Sequence, residues 1–144
     1  ADMADVVKSK AAEQDIIIMT AAVADFCPSH PADEKIKKND SSYESVIELE
    51  RTEDILSYLG AHKAKGQLIC GFSMETQNML ENSKAKLAKK NADMIVANNL
   101  KVAGAGFGTD TNVVTLITAD DCTELEIMDK SCVASRIMDR LLQM

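Results

Sequence analysis

Met3, Val6, Val7 and Ala11 recur at helical spacing over residues 2–13, and the run from Asp15 to Thr20 is a short continuous apolar stretch. The first pattern predicts an amphipathic helix and the second a strand buried in a parallel sheet. After Ala21–Ala24 the pattern dissolves between Asp25 and Asp40, a stretch that holds both prolines of the chain. It reads as a long loop, and long loops in compact domains usually carry function. Tyr43 to Glu50 alternates enough to predict a half-exposed strand. Thr52 is then expected to cap a helix whose first turn holds Glu53 and Asp54 and which Gly60 closes.

The next unit repeats the scheme. Gln67–Phe72 predicts a strand, Thr76 to about Asn91 a helix and Asp93–Ala97 another buried strand. Strands alternating with helices predict an α/β fold with a mostly parallel sheet and right-handed crossovers. Asn112–Thr118, a polar turn at Ala119–Cys122 and Thr123–Met128 predict a C-terminal antiparallel hairpin. Asp129 is expected to cap a last helix with Val133, Ile137 and Leu141 on one face and Ala134 and Met138 beside them. No linker or repeat divides the pattern, so residues 1–144 are read as one domain.

Composition agrees: 144 residues, 46% hydrophobic and 27% charged, suit one soluble globular domain able to bury roughly two-thirds of its unfolded surface. With 3% aromatics and no Trp, a stacking platform for nucleic acid is not expected. The formal charge of -7 argues in the same direction, since an acidic surface repels nucleic acid and anionic membranes. Local anion sites survive that global sign in two lysine runs, Lys35, Lys37 and Lys38, then Lys84, Lys86, Lys89 and Lys90. Cys27, Cys70, Cys122 and Cys132 form no C-x-x-C pair and have no His at ligand spacing, which predicts reduced thiols in a cytoplasmic protein rather than zinc or redox chemistry. No apolar run approaches a membrane span or a signal-peptide core. The chain opens at Ala1 inside a helical pattern, which is read as the start of a fragment or processed chain.

Several residues could carry chemistry. Gly104 to Gly108 is glycine-rich but leads into a strand, whereas a dinucleotide fingerprint follows a strand and opens a helix. It is read as a loop. Lys86 and Lys90, at i and i+4, share one helix face, while Met79, Ser83 and Leu87 turn toward the core. Such a comb suits a polyphosphate, although a lysine run is more often a solvated face. Lys35 sits in the proline-bounded loop, where a cation can fold over a ligand. Asp25 ends a predicted parallel strand, the place where open α/β sheets bind ligands; as a capping residue it would do nothing more. Phe72 ends another strand, able to stack on a base or to close the core. His30 and His62 have no Ser or Cys at motif spacing, which gives no support to a hydrolytic triad.

With these residues in place the chain resembles phosphopantothenate-cysteine ligase of coenzyme A biosynthesis, closest in style to the C-terminal part of the bacterial bifunctional type. The motifs run in order: Ala21 to Phe26, Glu34 to Lys38, Asp54–Ile55, Gly71 to Thr76, Lys86 to Lys90 followed by Asn91 to Asn98, and Gly106 to Asn112. The resemblance implies a Rossmann-like three-layer fold, here incomplete at the N-terminus. It implies a ligase that uses CTP to convert 4'-phosphopantothenate into an acyl-nucleotidylate, from which the amine of L-cysteine displaces the nucleotide. A carboxylate is a poor electrophile until esterified to phosphate, and the crowded anions call for Lys and Mg²⁺.

By motif position Asp25, Lys35, Glu53, Asp54, Ile55, Leu56, Phe72, Lys86 and Lys90 form the implied nucleotide-binding set, with Lys35 also catalytic; metal ligands are not assigned. FMN is implied only if a decarboxylase domain is fused upstream in the parent protein. A homodimer is implied, with the Tyr43 to Glu50 strand and the 112–128 hairpin as candidate arms; neither nucleic acid nor membrane is an expected partner. Three departures stand out. Glu53 replaces a usual Pro, which leaves a backbone contact intact, and Ser73–Met74 replaces two alanines, which is expected to narrow the pocket. The family's first strand, Gly-rich turn and Asn-bearing segment are missing. The chain alone is therefore expected to be inactive, and the alternative function is a non-catalytic nucleotide-binding and dimerisation module.

Overall fold

A computed structural model describes residues 2–35, 46–75, 78–99 and 108–144. Helix α1 (Asp2–Ala11) feeds β1 (Ile16–Met19), and a short pair, β2 (Phe26–Pro28) and β3 (Leu49–Arg51), leads to α2 (Ile55–Ala61). Strand β4 (Leu68–Glu75), helix α3 (Met79–Lys90) and β5 (Met94–Asn99) follow. The C-terminal part holds β6 (Thr111–Asn112), β7 (Val114–Ile117), β8 (Cys122–Glu124), β9 (Met128–Asp129) and α4 (Lys130–Leu141).

The main sheet runs β1-β4-β5-β7-β8, parallel across its first three strands and antiparallel across the last two. Strand alternation decides which layer each residue joins. Cys70, Met94, Val96, Val114 and Leu116 pack under Val133, Ile137 and Leu141 of α4. On the opposite face Ile69 packs with Ala4 of α1 and with Ile55 and Leu59 of α2. Ser73 and Ser83, both buried, join their hydroxyls at 2.7 Å, which puts α3 on that second face as well. The result is the expected three-layer α/β fold, with helices on both faces of a mostly parallel sheet.

Several boundaries differ from the sequence reading, each for a physical reason. The proline-containing loop holds a strand after all: Phe26–Pro28 pairs antiparallel with Leu49–Arg51, a long-range pairing that local pattern cannot reveal. Thr52 does not cap α2. Its hydroxyl donates instead to the Ala24 carbonyl, while the Asp54 carboxylate accepts from the Ser57 N–H at 2.9 Å and caps the helix. Glu53 thus lies before the helix, not in its first turn.

Gly60 does not terminate α2 but sits inside it, against the end of α3. A Cβ there would lie 1.8 Å from the Lys90 carbonyl oxygen, so only glycine lets the two backbones approach. Strand β4 continues to Glu75, past the expected end at Phe72, and α3 starts at Met79. The C-terminal hairpin forms between β7 and β8, whereas Met128 pairs with Asn112 in a separate ribbon. Asp129 occupies the N-cap position of α4 without a side-chain bond, and Ala134 and Met138 lie exposed beside the buried Val133, Ile137 and Leu141. Tyr43, Lys37, Lys38, Thr76 and Gly104 to Phe107 lie outside the described residues. Among the described residues, no helix is long and apolar enough to cross a membrane.

Candidate functional site

At the carboxyl ends of β1 and β4, where open α/β sheets bind ligands, a cavity of about 210 Å³ opens to solvent. Its lining draws on four stretches: Met19 with Ala21 and Val23 to Asp25, Thr52 to Leu56, Phe72, and Lys86 with Lys90. Of the residues picked out from the sequence, Asp25, Glu53, Asp54, Ile55, Leu56, Phe72, Lys86 and Lys90 come together here. Lys35 does not line it and is exposed. Typical small-molecule sites run to about 300–1,000 Å³, so this cavity suits part of a nucleotide-sized ligand.

Local bonds fix each wall. The Thr52 N–H donates to the Asp25 carbonyl at 3.0 Å, and together with the Thr52 hydroxyl bond to Ala24 this ties the turn after β1 to the end of β3. Phe72 packs against the cluster under α4, as the core reading expects, and also borders the cavity. The Lys86 ammonium donates to the Phe72 carbonyl at 2.8 Å. Lys90 pairs with the Asp54 carboxylate and donates to the Ser57 hydroxyl at 3.0 Å. Each ammonium carries three donors, so both retain capacity for an anion.

Electrostatics follow from these contacts. Burial works against the Asp54 carboxylate, but the bonds from Lys90 and from the Ser57 N–H outweigh it and hold its acidity below the ordinary carboxylate range. Glu53 is paired with Lys8 of α1. Asp25 makes no ion pair among the described residues. Cys70, fully buried, has its thiol pushed up to about 12 by burial and by the nearby Asp93 charge, which makes it an inert core residue.

The cavity tests the implied groups. No cluster of three His, Cys, Asp or Glu suited to a metal occurs among the described residues. Since Glu53 and Asp54 are already paired, a magnesium ion here fits only as one carried on phosphates and met by Asp25; Mg²⁺ commonly binds in that way, keeping several waters. For a flavin, Phe72 is the one aromatic side chain that this lining offers.

Ser73 and Met74 do not narrow the cavity as expected, for neither lines it. Ser73 points into the α3 layer and Met74 is 52% exposed. Three contributors were missed by sequence reasoning. Ser57, three residues after Asp54, carried a capping signal that could have been read. Thr52 and Lys8 act on residues 28 and 45 positions away, with no local signal.

Comparison with known proteins places the fold in a family. The chain is 47% identical over 142 residues to the coenzyme A biosynthesis bifunctional protein CoaBC of Bacillus subtilis (strain 168), covering 98% of this chain and 34% of that protein. It is 47% identical over 131 residues to a cysteine/cysteine sulfinic acid decarboxylase of an unknown prokaryotic organism, covering 90% of this chain and 36% of that one. The chain thus spans about a third of the length of these curated relatives. A crystal structure of the C-terminal domain of a CoaBC protein superposes with a TM-score of 0.76 at 40% identity, covering 99% of this chain and 62% of that one. Residues 1–144 match the family model described as DNA/pantothenate metabolism flavoprotein C-terminal domain, and the chain belongs to that family.

Proposed function

We propose that the parent of this chain is a phosphopantothenate-cysteine ligase of coenzyme A biosynthesis, and that residues 1–144, one domain, supply the nucleotide side of its site. The observation that carries this reading is the meeting of Lys86 and Lys90 with Asp25, Asp54 and Phe72 at the strand ends. The names of the relatives in coenzyme A biosynthesis support it.

In this reading the phosphopantothenate carboxylate attacks the α-phosphorus of CTP and pyrophosphate leaves. The cysteine amine then attacks the acyl carbon, and CMP leaves with the bonding electrons. Lys86 and Lys90 hold the phosphates, Phe72 meets the base, and the backbone from Glu53 to Leu56 borders the nucleotide. Lys35, outside the cavity lining, reaches the acyl-nucleotidylate only when its loop folds over the site, and its cation then offsets charge on the departing phosphate. Magnesium carried on the triphosphate supplies further neutralisation, and FMN belongs to a fused decarboxylase domain where a parent has one.

The 144 residues by themselves bind nucleotide without turnover, since the cavity of about 210 Å³ among the described residues has room for only part of a nucleotide-sized ligand. The protein works in the cytoplasm as a homodimer. Its contact lies on the β2–β3 arm, where Phe26, Val46, Ile47 and Leu49 are exposed beside a groove of about 600 Å³.

Calorimetric titration with CTP and CMP tests the reading. Replacing both Lys86 and Lys90 by Ala is expected to weaken CTP about a hundredfold, on the order of one decade per charge-assisted contact, and CMP by less. Equal losses for the two nucleotides would return the lysines to a solvated face. Pyrophosphate release by the unmodified chain with CTP, phosphopantothenate and cysteine would overturn the claim that it does not turn over.

A further inference from the structure

The cavity has an electrostatic problem as a site for a polyanion. Three carboxylates, Asp25, Glu53 and Asp54, face two ammoniums, Lys86 and Lys90, so the lining alone carries a net negative charge. Lys90 matches Asp54. The match for Glu53 comes from outside the lining, from Lys8 on α1, whose ammonium contacts the Glu53 carboxylate. Lys8 also lies 4.8 Å from the centre of the Tyr58 ring, which is itself stacked on His62 at 4.1 Å. Its side chain is 27% exposed, against 46% for Glu53. A lysine so placed is held over an aromatic face with its charge delivered to one carboxylate.

We propose that Lys8 is a positioning residue of the nucleotide pocket: it draws the Glu53 carboxylate aside and cancels its charge, so that polyphosphate affinity depends on a residue that never touches the ligand. This rests on the nucleotide reading above. The bond that Lys8 donates to Glu53 is the largest influence on its ammonium and, against the effect of desolvation, keeps it firmly protonated, so the mask is in place at any physiological pH. An exposed ion pair contributes little to folding, which separates the two roles such a pair could have. A structural tie between α1 and α2 would act alike on every ligand; a charge mask acts in proportion to ligand charge.

The test uses Lys8→Met, which keeps an apolar stem on Tyr58 and removes the charge, together with Glu53→Gln and the double variant. Each is titrated calorimetrically with CTP, CMP and cytidine at low ionic strength. Lys8→Met is expected to weaken CTP roughly fivefold, CMP less and cytidine not at all, as a single unmasked charge several ångströms from the phosphates would do in a well-screened setting. The loss should shrink with added salt, and Glu53→Gln in the Lys8→Met background should restore CTP binding. Equal losses for all three ligands, or failure of Glu53→Gln to rescue, overturns the proposal. A wild-type chain that binds CTP while Lys8→Met binds it equally well overturns the mask alone; a wild-type chain that binds none of the three overturns the nucleotide reading and the mask with it.

Discussion

The floor of the site and the arm beside it are built by opposite rules. Under the cavity, Ile69, Cys70, Ile95, Val96 and Ala97 of β4 and β5 are completely buried, and each strand has a neighbour on both sides. In the β2–β3 arm, two strands of three residues pair, among the described residues, only with each other, and Leu49 is 59% exposed. A lone two-stranded ribbon is marginal in water and needs something to pack on. The floor therefore holds Phe72 by packing, and α3 brings Lys86 and Lys90 to it, whereas the arm's base is tied by the Thr52 N–H to the Asp25 carbonyl and by the Thr52 hydroxyl to the Ala24 carbonyl, and the arm otherwise presents apolar surface outward. Rigid positioning and availability for partners are thus divided between two regions joined at the pocket edge.

The sharpest way to test that division is to remove the same chemistry from both. Ile95→Ala is expected to destabilise by about 4 kcal/mol, since it deletes a wholly enclosed side chain and leaves a cavity on the sheet face beside Leu56. Ile47→Ala, at a position 71% exposed, should change monomer stability by less than about 0.5 kcal/mol. Urea titrations followed by circular dichroism compare the two directly. If the arm forms the proposed dimer contact, Ile47→Ala instead shifts the dissociation midpoint in analytical ultracentrifugation. Comparable losses in the monomer would mean that the arm is part of the core.

Next in size comes Gly60→Ala. The added methyl would meet the Lys90 backbone carbonyl, which cannot swing aside as a side chain would. A cost of about 3 kcal/mol is expected, at the upper end of ordinary overpacking. Because the residue displaced is Lys90 itself, CTP binding should weaken together with the melting temperature. A Gly60→Ala chain of normal stability and affinity would show that the approach of α2 to α3 is loose.

How much of this was legible beforehand divides along the same line. The floor could be read because its signals are local: four consecutive apolar residues at Ile16 to Met19 and the i, i+4 pair at Lys86 and Lys90 lie within one element each. The arm was legible only in part: the strand expected at Tyr43 to Glu50 overlaps Leu49 to Arg51, but Phe26 to Pro28 becomes a strand only through that partner, more than twenty residues later. The same distance effect hid the capping exchange at α2. Thr52, Glu53 and Asp54 are all plausible near a helix start, and the winner was set by Ala24, Lys8 and Lys90, which engage the Thr52 hydroxyl and the two carboxylates from elsewhere in the fold. The motifs named Asp25, Glu53 to Leu56, Phe72, Lys86 and Lys90 of the cavity lining, and also Lys35, which does not line it; the charge balance, which depends on Lys8, they did not show.

The smallest expected effect concerns acid. Asp54 caps α2 and pairs with Lys90, and its acidity is held below the ordinary value of 3.8 once those bonds have outweighed burial. A carboxyl whose folded value is depressed contributes stability that is fully present above the unfolded value and is lost as pH falls through the folded one. The window therefore lies below 3.8, and none of this contribution should change between neutral pH and mild acid. Half of the Asp54 side chain remains open to solvent, so screening limits the contribution to about 1 kcal/mol or less. Asp54→Asn isolates it: the amide oxygen can still accept from the Ser57 N–H, but the ion pair is gone. Urea titrations of both chains should differ by that small amount at about pH 6, and the gap should close as pH falls below 3.8 and through the lowered folded value. A gap that persists unchanged at the lower pH would assign the stabilisation to capping geometry rather than to charge, and the Lys90 ammonium would then be held by the floor and not by its partner.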